Sequence, residues 1–175
     1  MHAQPADNGT AYPWSIGGNA YAGFAVKHDQ FMGHLSQGVT HGFEMNLFRQ
    51  TTGRRDWEQV FRYPEVGFSL SYFDYGSDWL GQSIGALAWA DLFIFRSKKL
   101  EGFFRLGTGL AYHTHPYDPE TNNQNVALGS PVTQSMKLRT GLHYHLGKRW
   151  RLTTAITLSH FSLAAITQPN KGINV

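Results

Sequence analysis

Two residues near the C-terminus have types and spacing that can do chemistry. They are His160 and Ser162, in the stretch LTTAITLSHFSLAAITQPNKGINV, Leu152 to Val175. A neutral imidazole can take the proton of a serine hydroxyl as the oxygen attacks an ester carbonyl. In an extended strand, residues two apart share a face and lie about 7 Å apart at Cα, so side chains that lean together can hydrogen-bond. In the expected strand, Leu152, Ile156 and Leu158 alternate with Arg151, Thr153, Ala155 and Thr157. His160 and Ser162 continue the phase of the aliphatic row and should point the same way. Interfacial polar residues at a strand end have the same pattern, and spacing alone does not separate the two readings.

The elements that must position this pair are strands. Charged residues are only 15% of the 175-residue chain, aromatics 14%, and glycines number 19. This mixture favours strands and tight turns over helices. Seven segments alternate with period two, six of them at about Ser15–His28, Thr40–Thr51, Phe61–Asp74, Gln82–Arg96, Gly102–His113 and Thr133–Leu146, and the seventh being the stretch that ends in His160 and Ser162. In the sixth, Met136, Leu138, Leu142, Tyr144 and Leu146 oppose Lys137, Arg139, Gly141, His143 and His145. The fifth sets Phe104, Leu106, Leu110 and Tyr112 against Arg105, Gly107 and Gly109. Strands of roughly 10–14 residues with one apolar face suit an outer-membrane barrel, apolar to lipid and polar inward. The mean hydropathy of -0.36 fits, since only one face of each strand must be apolar. A soluble sandwich or lipocalin-like carrier would instead turn the aliphatic faces inward.

The connections agree with a barrel. RSKKLEG and LGKRW are short, whereas HTHPYDPETNNQNVALGSP is long and polar. Barrels of this kind have short periplasmic turns and longer outer loops. An upward first strand then brings His160 and Ser162 to the outer-leaflet end. TTGRRDWEQ falls on the inner side. Residues 1–14 read as a flexible leader and 15–175 as one barrel domain. Bacterial barrels close with an even number of strands, so with seven counted either the chain is truncated or the leader or an uncounted segment closes the sheet; the expectation is truncation with a missing eighth strand, and any signal peptide absent from this numbering.

Several function classes are disfavoured. The formal charge is +3 with scattered basic residues, a poor match to nucleic-acid binding. There are no cysteines, which excludes a disulfide framework, a Cys-ligated zinc site and a Cys nucleophile. His113 with His115, and His143 with His145, have a spacing that suits a metal. Loop polarity and lumen filling explain them more simply, and no metal or cofactor is assigned. Glu44, Glu65, Arg105, Lys137 and Arg139 read as an interior ion-pair network, and Asn122, Asn123 and Asn125 as a turn-rich loop.

The stretch HFSLAAITQPNKGIN resembles the signature of the lipid A 3-O-deacylases (PagL-like, also called acyloxyacyl hydrolases): His-x-Ser-Asn-Ala, a short spacer, then Pro-Asn-x-Gly. HGFEMNLFRQTTGRRDW, YPEVGFSLSYFDYG and FFRLGTGLAYHTHPYDPETNNQNVALGS are similar to a longer branch of that family, so the resemblance runs from about Gly38 onward. It implies an eight-stranded barrel in the bacterial outer membrane, acting on lipid A of outer-leaflet lipopolysaccharide. The implied reaction is hydrolysis of the ester at the 3-position, with release of a 3-hydroxy fatty acid. Ser162 would be the nucleophile and His160 the general base, in a site open to lipid on the barrel wall. The family carries Asn after the serine as an oxyanion donor; this chain has Leu163. Backbone N–H groups near Ala164 and Ala165 would then supply donors, and losing one donor lowers a rate by about 10²–10³. The family's orienting Glu corresponds to Asn174, an amide that can orient a histidine but stabilises imidazolium less. The expectation is therefore a serine esterase of reduced rate; the alternative is an inactive barrel with a structural or lipid-binding role.

Overall fold

The structure is a computed structural model that describes residues 14–26, 33–35 and 38–162. It contains β1 (Ser15–Gly23), β2 (Thr40–Gln50), the short helix α1 (Asp56–Val60), β3 (Glu65–Asp74), β4 (Gln82–Arg96), β5 (Leu100–His113), β6 (Val132–His145) and β7 (Arg151–Ser162). The strands form one antiparallel meander in sequence order, curled into a half-barrel. None of its helices is long and apolar enough to cross a membrane, a test that does not bear on strands.

The curl follows from contacts between distant strands. In a flat sheet β2 and β6 would lie about 19 Å apart, at about 4.8 Å per strand spacing. Instead Lys137 of β6 donates to Glu44 of β2, and Arg139 Nη2 donates to the same carboxylate at 2.8 Å. Arg105 of β5 reaches Asn46 of β2 at 3.0 Å. Arg151 of β7 holds Glu65 of β3 through two bonds of 2.7 and 2.9 Å.

The pleat sorts the side chains inside out relative to a soluble protein. Phe43, Met45, Phe68, Leu70, Leu110 and Met136 face outward and are exposed. Glu44, Ser69, Asp91, Arg105, Lys137 and Arg139 face inward and are buried. Leu70 is 63% exposed while Arg105 is 4% exposed. That arrangement suits an apolar surrounding rather than water, because apolar area left in water forfeits about 25 cal/mol per Å². The soluble-carrier alternative, which needs the aliphatic rows inside, is thereby corrected.

Large side chains also enter the interior. β4 departs from the simple pattern: Leu87, Trp89 and Phe93 turn inward while Ala86 and Ala88 face out. Trp89 lies under the Arg105 guanidinium, 3.3 Å from ring centroid to Cζ. Gly42 leaves room for the Phe73 ring, into which a Cβ at that position would project. Breaking one partner out of such a buried ion network costs about 3–5 kcal/mol, since the remaining charge stays buried and uncompensated.

Two strand boundaries differ from the sequence reading. β1 ends at Gly23 rather than near His28. β3 begins at Glu65 rather than Phe61, because the preceding segment makes a helical turn. There the Glu58 carboxylate accepts from the N–H groups of Gly53 (2.7 Å) and Arg54 (3.0 Å), and Arg62 and Tyr63 take left-handed backbone with φ of 57°. Arg96 ties this turn to β4 by donating to the Arg62 and Tyr63 carbonyls. Among the described residues no strand joins β7 to β1. The expected leader and the expected closing strand lie outside the described residues.

Candidate active site

β7 alternates faces up to its last residue. Arg151, Thr153 and Thr157 point inward: Arg151 onto Glu65, Thr153 onto His143 Nδ1 at 2.8 Å, and Thr157 onto Arg139 Nε at 3.2 Å. Leu152, Ile156 and Leu158 are exposed on the other face. Phe161 is again inward, its ring 5.0 Å from that of His113 and 6.4 Å from that of Tyr75, edge-on to both. His160 and Ser162 therefore flank an inward aromatic and share the phase of the aliphatic row, both half-buried. The β6–β7 register sets Met136 opposite His160 and Gln134 opposite Ser162.

Phe161 also joins the loops. Leu35, Leu80 and Leu128, one from each of three connections at this end, form a small apolar cluster against which Phe161 and Tyr75 pack. Burial pushes the Tyr75 phenol up to about 12, so it remains neutral while it shares a 2.7 Å hydrogen bond with Ser83. The loop of residues 114–131 is braced by Asn125, whose side chain donates to the carbonyls of Trp79 (3.1 Å) and His115 (2.6 Å). At its tip Asp118 accepts from the N–H groups of Glu120 and Thr121 and from the Thr121 hydroxyl, which holds its carboxyl below the usual range. The end of β7 is thus clamped by a plug of loops rather than left to fray. Sequence reasoning missed Phe161; its signal was one bulky aromatic in the otherwise polar inward phase.

Leu163, Ala164, Ala165 and Asn174 lie outside the described residues. Of the sequence-stretch candidates the structure thus positions His160 and Ser162 on β7 and leaves the oxyanion and orienting groups undescribed.

The histidines do not assemble as His-x-His ligand pairs. His143 stacks on Phe103 with centroids 4.0 Å apart, His145 bonds Glu101 at 2.9 Å, His113 bonds Thr133 at 2.9 Å, and His115 bonds Thr114 at 2.8 Å. Among the described residues Glu65, Asp91 and His143 bring ligand atoms within 4.8 Å of one another. However, Arg151 holds both oxygens of Glu65, and Arg105 holds both oxygens of Asp91 at 2.5 and 2.7 Å. A cation would have to displace two bidentate guanidinium pairs, so the cluster reads as the ion-pair network expected from Glu44, Glu65, Arg105, Lys137 and Arg139.

The family model for lipid A 3-O-deacylase (PagL) matches residues 41–175, from the start of β2 through the His160–Ser162 strand end. The chain belongs to the lipid A 3-O-deacylase family. No curated protein and no solved structure matches it. The family is one of lipid A deacylases, which are hydrolases, and its half-barrel representative here carries its apolar surface outward.

Proposed function

We propose that this protein is an outer-membrane esterase that hydrolyses the ester-linked 3-hydroxyacyl chain at the 3-position of lipid A. The loop-bearing end lies in the outer leaflet of the bacterial outer membrane, where lipid A resides. His160 accepts the Ser162 hydroxyl proton as Oγ attacks the acyl carbonyl. The sugar hydroxyl leaves with that proton, and water, activated by the same imidazole, releases the fatty acid from the serine. Backbone N–H groups at Ala164 and Ala165 hold the oxyanion, and Asn174 orients the imidazole. No cofactor or metal takes part.

The observation that carries this reading is the phase of β7: a histidine and a serine on the apolar outer face, at the end where the loops gather, within a match to the deacylase family. A bilayer ester can reach such a site sideways, without leaving the membrane. The test is mass spectrometry of lipid A from a Gram-negative host that expresses the folded protein. Loss of one 3-hydroxyacyl mass, abolished by Ser162→Ala, supports the esterase. An unchanged spectrum with folded protein favours the second reading, an inactive barrel with a structural or lipid-binding role, for which Leu163 and Asn174 are the grounds.

A further inference from the structure

We propose that Gln134 is a further catalytic residue: its carboxamide N–H donates to the oxyanion formed when Ser162 attacks the ester. This rests on the reading of Ser162 as nucleophile and His160 as base.

The strand register brings the two residues together. Gln134 is the β6 residue directly opposite Ser162, as Met136 is opposite His160. Opposed residues on one face of an antiparallel pair have Cβ atoms about 4.5–5.5 Å apart. A glutamine reaches across that gap and beyond the serine oxygen, to where an attacked carbonyl oxygen would lie. Gln134 is on the outward face, and it is exposed.

Its surroundings make a bystander role costly. Val132, Met136, Leu138, Leu142 and Tyr144 make the rest of this outward row apolar, apart from Thr140. Thr140 satisfies its hydroxyl locally by donating to the Phe103 carbonyl at 3.2 Å. Among the described residues the Gln134 carboxamide has no hydrogen-bond partner, and an amide facing lipid without one is destabilising. An acyl ester arriving from the bilayer supplies an acceptor at that place. Leu163, next to the serine, offers no side-chain donor.

In the step concerned, Ser162 Oγ bonds to the acyl carbon, the carbonyl π pair moves onto its oxygen, and the hydroxyl proton passes to His160. Gln134 donates to the new oxyanion. When the carbonyl re-forms, the carbon–oxygen bond to the sugar breaks and the leaving oxygen takes the proton from His160. A neutral amide performs this without changing its charge, and the contact strengthens only as charge develops.

The test measures kcat and KM of the detergent-solubilised full chain on lipid A, with folding checked by heat-modifiable gel mobility. Gln134→Leu suits the lipid face and removes the donor. Gln134→Glu keeps the shape but places a charge beside the oxyanion. Both are expected to lower kcat by about 10²–10³ with KM little changed. Thr154→Leu, on the outward face of β7 and far from its end, is the control expected to retain the wild-type rate. If both variants keep their kcat while Ser162→Ala is inactive, the Gln134 proposal is overturned and the nucleophile stands. A rise in KM alone also overturns it, since that marks ground-state binding. If the folded wild type shows no turnover, the esterase reading falls and this one with it.

Discussion

At the scale of the residue, the chemistry depends on which way two side chains point. His160 and Ser162 occupy alternate positions of β7, and Phe161 between them is committed to the interior by its contacts with His113 and Tyr75. That commitment leaves the flanking pair no choice of face. The proposed general base is then separable from the proposed nucleophile by mutation. His160→Ala should lower kcat by about 10²–10⁴ while leaving folding and substrate binding near wild type, measured as initial rates on lipid A micelles. The pair was legible in the sequence because a period of two needs only local geometry. The partner across the strand gap was not. Gln134 is 28 positions away from Ser162 in the sequence, and only the register of β6 against β7 shows that they oppose each other.

At the scale of the element, β7 is held by its end rather than by its length alone. Its inward residues reach β3 and β6, and Phe161 caps them by docking on Leu35, Leu80 and Leu128 from three separate loops. The loops thereby fix the strand end that carries His160 and Ser162. Phe161→Ala should destabilise the fold toward the lower end of the about 3–5 kcal/mol typical of core aromatics, since the ring is only half-buried. It should also lower kcat more than it raises KM, because the serine and histidine lose their fixed orientation. Denaturant titration in detergent together with initial rates checks both parts. The strands themselves were mostly readable: β4 matched its expected bounds, and β2, β5 and β6 matched within two residues. The misses have local causes. β3 starts late because Glu58 captures two backbone N–H groups and folds the preceding residues into a helical turn, an interaction that alternation does not encode. β4 blurred the pattern because its bulky residues, Leu87, Trp89 and Phe93, fill the interior, leaving alanines on the outer wall.

At the scale of the whole molecule, the decisive property is inversion: charge inside, hydrocarbon outside. The interior charges pair across strands that a flat sheet would hold far apart, so the ion network and the curl imply one another. The expected network of Glu44, Glu65, Arg105, Lys137 and Arg139 is present, extended by Asp91 and Arg151, which sequence separation hid. The outward rows predict how the wall tolerates charge. Leu70 sits midway along β3 and is exposed. Leu70→Arg should cost about 2–4 kcal/mol in a bilayer, whereas an exposed leucine on a water-soluble protein would accept arginine almost freely. Unfolding in lipid vesicles measures the difference.

The central claim is that Ser162 faces lipid, and the chain's lack of cysteine makes it directly testable. Single cysteines placed at Leu158, Ser159 and Ser162 can carry an environment-sensitive fluorophore in vesicles that contain brominated lipid. Strong quenching by lipid at 158 and 162, with weak quenching at 159, is the predicted result. Strong lipid quenching at 159 with none at 162 would contradict the account.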